Sequence, residues 1–360
     1  MKRLRILTLF TVVITTLIFF FKKRNPTTIA AGDGLVIKKE WLAINKNPLT
    51  PQKDARPADQ TFLTFPEWYL VFSPDEQAQY FKQHTATTFP FMSHTRQIWE
   101  SYHIVNNQIK DNFPPNKGYH FMIWVIGTSA SVEYSIKALY ETLIGRMTDT
   151  HEVLTDEDKF NTAFTQNYVD FIKDRPWYEF DFKTQLKNLY TGTSYFGNNF
   201  IRKAERRYML TSELLVKYAY GKLIGLGTKQ VYDEALPTTA VVLNKAPNDQ
   251  QLKIEKRFDD SSALVLLPRY DKFYPAMVGL AKQGYGFKEV AGNNSAILLT
   301  ILVPSANSIQ FDNTQTVFTQ PISSNPAMKR IALTVPVIQL DKLLLQLNRE
   351  GINIEHVFDY

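Results

Sequence analysis

The chain has 360 residues, 44% of them hydrophobic, and is long enough to bury the cores of two domains. It contains no cysteine, which excludes disulfides, thiol nucleophiles and thiolate metal ligands. Six of its 41 basic residues and none of its 35 acidic residues fall in residues 1–24, so the rest of the chain is electrically neutral. A neutral body does not predict nucleic-acid binding, which normally requires a net basic domain or stripe.

The first element is a run of 16 uncharged, mostly apolar residues, 6–21, with Lys and Arg beyond both ends. As a helix it would be about 24 Å long. The hydrocarbon core of a bilayer is about 30 Å thick, and flanking cations can reach its headgroups. A secretory signal peptide would continue into a small-residue cleavage site, whereas this run meets three cations at 22–24. The sequence predicts an uncleaved anchor in the lipid bilayer, with a cleaved signal peptide and a buried core helix as alternatives.

The cations on the two sides of this run are nearly balanced, so the positive-inside rule gives only a small bias. The free terminal amine tips the bias toward an N terminus on the inner side. We therefore expect a single-pass protein whose large body lies on the outer side of the membrane.

Two stretches follow the anchor. Residues 25–60 are rich in Pro and polar residues, without an apolar period, and are predicted to be a linker. Residues 61–235 are predicted to form a mostly helical domain. Within it, Ser73 followed by Pro74 has the pattern of a helix N-cap and first turn, and Thr155 before three acidic residues repeats that pattern.

One helical segment, 119–145, resembles a second membrane span. Its fully apolar run is only six residues long, and Glu133, Lys137 and Glu141 recur every four residues along one stripe. Apolar side chains lie near the opposite face: Phe121, Val125, Val132, Ile136, Leu139 and Leu143. The pattern predicts an amphipathic helix packed on protein. A second span or a re-entrant segment, in which the charges would be functional, is the alternative.

Residues 236–360 carry an internal repeat, with copies at 263–290 and 332–357. Each copy has a strand that ends in Pro, a helix, a glycine stop and a short strand. Gly284 and Gly351 stand where a helix C-cap needs a left-handed residue. Two such units with connecting strands predict a split βαβ, ferredoxin-like sheet that is similar in pattern to ACT-type domains. The predicted fold class is α+β, with an anchor helix, a helical middle domain and this ferredoxin-like domain.

Several strings resemble those of an uncharacterised family of bacterial membrane-anchored proteins. They are TFLTFPEWYLVFSPDE at 61–76, GYHFMIWVIGTS at 118–129, YVDFIKDRPWYEFDF at 168–182, RKAERR at 202–207 and EHVFDY at 355–360. The resemblance covers most of the chain beyond the linker. It implies a bacterial envelope protein, and together with the orientation expected from the charge balance this gives an anchor in the inner membrane and a body on the periplasmic side. It implies no reaction and no site residues.

Motifs for catalysis and metal binding are incomplete. Glu100 and His103 form one Glu-x-x-His motif, of which di-iron bundles need two, so they are a weak metal candidate and a structural role is favoured. The chain has no Gly-x-Ser-x-Gly elbow, no phosphate loop and no dinucleotide-binding glycine pattern. No cofactor is predicted.

The best remaining site candidate is a set of polar residues in the helical region. They are Glu67, His103, His120, Glu133, Arg202 and Arg206. Aromatic residues such as Trp68, Trp99 and Trp124 lie beside them in the sequence, as they do in small-molecule pockets. The same composition is typical of an ordinary core with satisfied ion pairs.

The leading hypothesis is a non-catalytic module that binds a small molecule or an envelope protein. A membrane-tethered hydrolase that uses the Glu/His/Arg set is one alternative, and it requires these six residues to converge in one cleft. An envelope assembly factor is the other, and it requires a long free sheet edge beside an apolar groove.

Overall fold

The computed structural model describes residues 30–31, 37–42, 47–57, 59–150, 153–228, 237–247 and 252–359. The predicted anchor, residues 6–21, lies outside them. The described chain is a mixed α+β fold, with helices followed by two antiparallel sheets, and this confirms the predicted class. Within these residues, no helix combines the length and the apolar content that crossing a bilayer requires.

In the helical region, three helices pack directly against the first one, and the last two pack against each other and against one of those three. Its helices are α1 (Gln60–Phe81), α2 (Phe91–Ile109), α3 (Lys117–Tyr140), α4 (Asp156–Ile172), α5 (Phe182–Gly192) and α6 (Phe200–Thr228). Helix α3 continues through a π-helical turn, Glu141–Gly145, as far as Thr148. Helix α4 starts as predicted, because Thr155 and Asp158 form a reciprocal capping box.

The predicted helix start at Ser73 is wrong. Helix α1 begins at Gln60 and continues through Pro66 and Pro74. Ser73 is fully buried in its second half, where the hydroxyl oxygen lies 2.8 Å from His94 Nδ1. The two prolines cannot donate backbone hydrogen bonds. The stabilisation from packing the apolar side chains of α1 exceeds the cost of these missing bonds.

The strands divide between two sheets. They are β1 (Ala30–Ala31), β2 (Thr238–Leu243), β3 (Lys253–Arg257), β4 (Ala263–Pro268), β5 (Phe287–Val290), β6 (Ala296–Pro304), β7 (Gln315–Pro321), β8 (Met328–Pro336) and β9 (Asn353–Val357). One sheet has the order β1-β7-β8-β6-β9 and the other β3-β4-β2-β5. Two helices accompany them, α7 (Phe273–Lys282) and α8 (Leu340–Arg349).

Both repeat copies form the predicted strand–helix–strand unit. Gly284 and Gly351 end the two helices with φ angles of +79° and +67°, as the C-cap pattern predicts. The prediction of a single ferredoxin-like sheet is wrong, because the first copy (β4, α7, β5) and the second copy (β8, α8, β9) lie in different sheets. Each copy is preceded by two strands of its own. The antiparallel pairing of β3 with β4 and of β7 with β8 is local in sequence, so its loop-closure cost is low.

Aromatic contacts join the helical region to the first sheet. The ring of Phe65 on α1 lies 4.8 Å from Phe318 on β7 and 5.8 Å from Phe358 after β9. A buried ion pair reinforces this joint. Arg330 on β8 donates to Glu355 at 2.5 and 2.6 Å and to Glu76 of α1 at 3.0 Å.

The segment predicted to be a linker lies against the body wherever the structure describes it. Ile37 and Leu42 are buried in the core between α1 and the first sheet. Glu289 on β5 accepts hydrogen bonds from the Leu49 and Thr50 amides, both at 2.9 Å, and from the Thr50 hydroxyl at 2.8 Å. The described chain is therefore fixed to the body some distance before α1.

Candidate functional site

The six polar residues that the sequence singles out do not meet in one cleft. Glu67 bonds to Tyr119, His120 lies 2.9 Å from the Tyr102 hydroxyl, and His103 is exposed. The other three, Glu133, Arg202 and Arg206, lie along the contact between α3 and α6, each with its own ion-pair partners.

The contact between α3 and α6 contains buried and half-buried charges. Lys137 bonds to Glu213 at 2.8 Å and to Glu133 at 2.9 Å, and Lys217 bonds to Glu133 at 3.0 Å. Burial alone would raise the pKa of Glu133, but the ammonium groups of Lys217 and Lys137 outweigh it and lower that pKa to about 2. Two carboxylates and two ammonium groups thus form a paired, neutral cluster.

Further ion pairs continue this contact past the π-helical turn. Arg206 reaches Glu141 at 2.7 Å and Glu205 at 2.5 Å. Arg202 lies 3.3 Å from Asp158 and 3.1 Å from Glu205. Carboxylates thus pair with both guanidinium groups. Arg202 and Arg206 therefore belong to a structural ion-pair network and are not free to bind a phosphate. We call the whole set of pairs between α3 and α6 the charged seam.

Most of the apolar stripe predicted on α3 points away from the protein, although Ile123 and Tyr134 of the same helix are buried. Phe121 is 68% exposed, and Ile136, Leu139 and Leu143 are each 57% exposed. The predicted packing of this apolar stripe on protein is therefore wrong, and Glu133, Lys137 and Glu141 take the inner side instead. The reason lies on α6, which presents a complementary stripe of Arg206, Glu213 and Lys217 to α3. The sequence pattern of α3 alone does not show this stripe.

Helix α6 has the same inverted arrangement. Five of its exposed apolar residues, Ile201, Tyr208, Leu215, Val216 and Leu223, lie along one stripe, and Phe200, Tyr218 and Tyr220 are exposed beside it. Successive residues of a helix are about 100° apart, so this apolar stripe lies roughly 130° around α6 from its ion-paired residues. A similar angle separates the apolar stripe of α3 from Glu133, Lys137 and Glu141. Because the ion pairs show that the helices run antiparallel, the two apolar stripes turn to the same side of the pair.

We call this surface the α3–α6 face. It consists of Phe121, Trp124, Val125, Ile136, Leu139 and Leu143 of α3 and Ile201, Tyr208, Leu215, Val216 and Leu223 of α6. No aspartate or glutamate is exposed on either helix in the described side chains, from residue 117 to 148 or from 200 to 225. The exposed cations there are Lys117, Arg146 and Lys222. Such a large exposed apolar surface marks a site of interaction with another molecule.

A serine, a histidine and a glutamate also lie together in the interior, as they do in acyl-transfer enzymes. Ser73 Oγ is 2.8 Å from His94 Nδ1, and His94 Nε2 is 3.6 Å from Glu76. Both Ser73 and His94 are 0% exposed, so a substrate cannot reach the hydroxyl. Burial and the nearby Arg330 lower the pKa of His94 to about 3, which keeps the imidazole neutral. The group is a structural network.

Glu67 belongs to a second interior network, which joins α1 to the C-terminal residues. Burial raises its pKa, while its hydrogen bond from the Tyr119 hydroxyl opposes that shift. Tyr119 lies 3.1 Å from the Thr64 hydroxyl. Nearby, Asp359 accepts a hydrogen bond from Thr239 at 2.5 Å and lies 3.7 Å from Arg269. Asp359 is thus joined to the second sheet, and the preceding Phe358 is joined to α1, because the Thr61 hydroxyl donates to the Phe358 carbonyl at 3.1 Å.

Two open recesses lie on the described surface. An open recess of about 90 Å³ beside His120 is lined by Asp59, Asn106 and Phe113. A groove of about 480 Å³ lies beside α6, where the missing side chain of Gly221 lets the backbone of Tyr178 approach the helix closely. The weak metal candidate, Glu100 with His103, gains no third ligand, and no cluster of metal-ligating side chains occurs in the described residues.

Comparison with known proteins gives no match to a family model, to a curated protein or to a solved structure. The α3–α6 face is thus the functional candidate that the geometry itself supplies. Sequence reasoning missed it because the pattern of α3 predicts that its apolar stripe packs on protein, and the pattern of α6 leads to no assignment of its apolar residues. The signal that could have found it is the second charged stripe, on α6, which matches that of α3.

Proposed function

We propose that this protein is a membrane-anchored envelope protein that acts as a non-catalytic binding module. Residues 6–21 are its anchor in the inner membrane, and the body lies on the periplasmic side. The anchor helix is the part of the fold class that stays a proposal, since it lies outside the described residues. The resemblance to bacterial membrane-anchored proteins and the apolar run between cations support this assignment.

The observation that carries the binding role is the inverted pair α3 and α6. Charged side chains are matched with one another inside, and the apolar side chains form the α3–α6 face outside. Folding alone gains nothing from exposing these side chains, because their burial would stabilise the chain. A surface of this kind is explained by a second molecule that covers it.

The hydrolase alternative gains no support, because its six residues lie at separate places and the buried Ser73 and His94 are closed to substrate. The assembly-factor alternative gains little support from the sheet edges. Strand β3, at one edge, is five residues long and reads KIEKR, a charged sequence that discourages pairing with another chain.

Alkaline carbonate extraction of membranes tests the anchor, and labelling tests the orientation. The full chain should stay in the membrane pellet. A cysteine introduced as Ile338→Cys, at an exposed position of the cysteine-free chain, should react with an impermeant maleimide in spheroplasts. Release of uncleaved full-length protein into the carbonate supernatant would contradict the anchor. Labelling only after cell lysis would contradict the orientation.

A further inference from the structure

We propose that the α3–α6 face docks on the lipid bilayer, with α3 and α6 lying in the headgroup region beside the anchor. This rests on the proposed function, because it names the partner of the same face. The body would then touch the membrane twice, once through the anchor and once through these two helices.

The chemistry of the face fits a lipid surface better than a protein surface. Its apolar side chains include Phe121, Trp124 and Tyr208, and aromatic side chains favour the membrane interface. Exposed cations stand near helix ends, at Lys117 and Lys222, and exposed acids do not occur on the described part of either helix. Interfacial helices that bind anionic lipid combine an apolar, aromatic face with cations in this way.

Chain length also brings the face close to the bilayer. The apolar run ends at Phe21, and the described chain begins at Ala30, nine residues later, paired with Thr319 of β7. Nine extended residues span at most about 32 Å. Helix α3 with its continuation to Thr148 is about 48 Å long. The chain between Phe21 and Ala30 is therefore shorter than α3, which keeps the body close to the bilayer.

Packing contacts connect the chain entry to the face. Strand β7 receives a hydrogen bond from α2, in which Gln97 Nε2 donates to the Pro321 carbonyl at 2.8 Å. Helix α2 in turn contacts α3, where Trp99 Nε1 donates to Ser131 Oγ at 2.9 Å. Strand β1, where the described chain begins, is therefore linked to α3 through β7 and α2.

The charged seam makes interfacial burial possible. An unpaired carboxylate close to hydrocarbon would be costly, but Glu133 and Glu213 are already neutralised by Lys137 and Lys217. The helices can enter the headgroup region without removing an unpaired carboxylate from water, and their exposed cations would meet the lipid phosphates there.

The test uses single cysteines in the full chain, which has none of its own. An environment-sensitive fluorophore is placed at Leu139→Cys or Val216→Cys on the face, and at Leu17→Cys in the anchor. The matched control is Ile338→Cys, since Ile338 is 59% exposed and apolar but lies next to α8. Each protein is reconstituted into phosphatidylethanolamine–phosphatidylglycerol vesicles, with or without lipids that carry a quencher, near the headgroup for the two face positions and the control and along the acyl chain for Leu17→Cys. Retention of the wild-type thermal transition shows that each variant folds.

We expect the quencher lipid to reduce emission at Leu139→Cys and Val216→Cys at least about twofold, and at Ile338→Cys by less than about a tenth, because an interfacial face sits within about 10 Å of the headgroups. Quenching at Leu17→Cys without quenching at either face position would overturn the docking and leave the anchor intact. Quenching at the face without quenching at Leu17→Cys would support the docking and contradict the anchor. Face emission that shifts with protein concentration but ignores the quencher would indicate a second copy or a protein partner, and would also overturn the proposal.

Discussion

Arg206 of α6 donates two hydrogen bonds to Glu141, at 2.7 and 3.0 Å, and neither side chain is more than 5% exposed. The pair lies in the charged seam, on the side of α3 opposite the exposed Leu139. Ordinary surface helices have the reverse arrangement, with apolar residues inside and charges outside. The two helices therefore depend on matched charges for their mutual contact and expose their apolar surface to something else.

Removing the guanidinium from the seam should be costly. Arg206→Met leaves the buried Glu141 without its bidentate partner, and breaking a buried pair in this way costs about 3–5 kcal/mol in the free energy of unfolding. Arg146→Met, at an exposed position on the neighbouring turn, should change that free energy by less than about 0.5 kcal/mol. Urea unfolding in mild detergent measures both. Equal effects of the two substitutions would show that the seam does not stabilise the fold.

Two adjacent leucines of α6 give a matched pair. Leu214 is 0% exposed, whereas Leu215 lies on the α3–α6 face and is 48% exposed. Leu214→Ala should lower the free energy of unfolding by about 2–5 kcal/mol, because it leaves a cavity. Leu215→Ala should change it by less than about 0.5 kcal/mol in detergent. A larger loss at Leu215 than at Leu214 would mean that the helix is rotated from the orientation described.

The sequence predicted the local elements better than their orientation. Thr155 as a cap, and Gly284 and Gly351 as helix ends, depend on hydrogen bonds and backbone angles within a few residues, and all three are confirmed. The direction of the apolar stripe of α3 depends on the charges of α6, more than sixty residues away. A periodicity of 3.6 residues shows that a helix has two faces, but the partner decides which face is inside.

The sheets and the polar site illustrate the same limit. The strand–helix–strand repeat was visible, but the assignment of its copies to two sheets depends on strands β2 and β6, whose pairing the repeat does not specify. Ser73 has the local chemistry of a cap, and tertiary contact with His94 makes it a buried residue within a helix instead. The six candidate site residues were grouped by chemistry, and distance along the chain does not reveal which partner each one meets.

A buried histidine should make the fold sensitive to acid. His356 stacks on Trp68 at 3.7 Å, neither ring nitrogen has a hydrogen-bond partner among the described residues, and burial lowers its pKa from 6.5 to about 3. Between these values the unfolded chain binds a proton that the folded chain does not, so stability falls as the pH falls from 6.5 to 3. His94, whose pKa is also about 3, contributes in the same direction.

In the variant His356→Leu, the unfolded chain no longer takes up a proton at position 356, and only His94 contributes to the pH dependence described above. The slope of the unfolding free energy between pH 4 and 6 should decrease by up to about 1.4 kcal/mol per pH unit. The readout is the slope from urea titrations at several pH values, which a uniform change in stability does not alter. His84→Leu, at an exposed histidine, is the control and should leave the slope near that of the wild type. An unchanged slope in His356→Leu would contradict a neutral, buried imidazole.

The early segment of the described chain should loosen when Glu289 is removed. Its carboxylate accepts three hydrogen bonds from Leu49 and Thr50, and bonds to a charged acceptor contribute about 1.5–3 kcal/mol each. Glu289→Ala should therefore speed amide hydrogen exchange at residues 49 and 50 by more than about tenfold. Glu350→Ala, at an exposed glutamate after α8, should not. Unchanged protection at residues 49 and 50 would show that other contacts hold this segment.

The inverted orientation of α3 and α6 can be tested most directly on the unmodified protein, by zero-length carbodiimide coupling followed by peptide mass spectrometry. Coupling joins a lysine to a carboxylate that it contacts, and Lys137 lies 2.8 Å from Glu213 and Lys217 lies 3.0 Å from Glu133. We predict amide-linked peptides between α3 and α6 at these two pairs, alongside the exposed pair of Lys288 and Asp260 as a positive control. Recovery of the control link with no link between α3 and α6, while Glu133 and Glu213 couple instead to an added soluble amine, would contradict the account, because the charges of α3 would then face solvent.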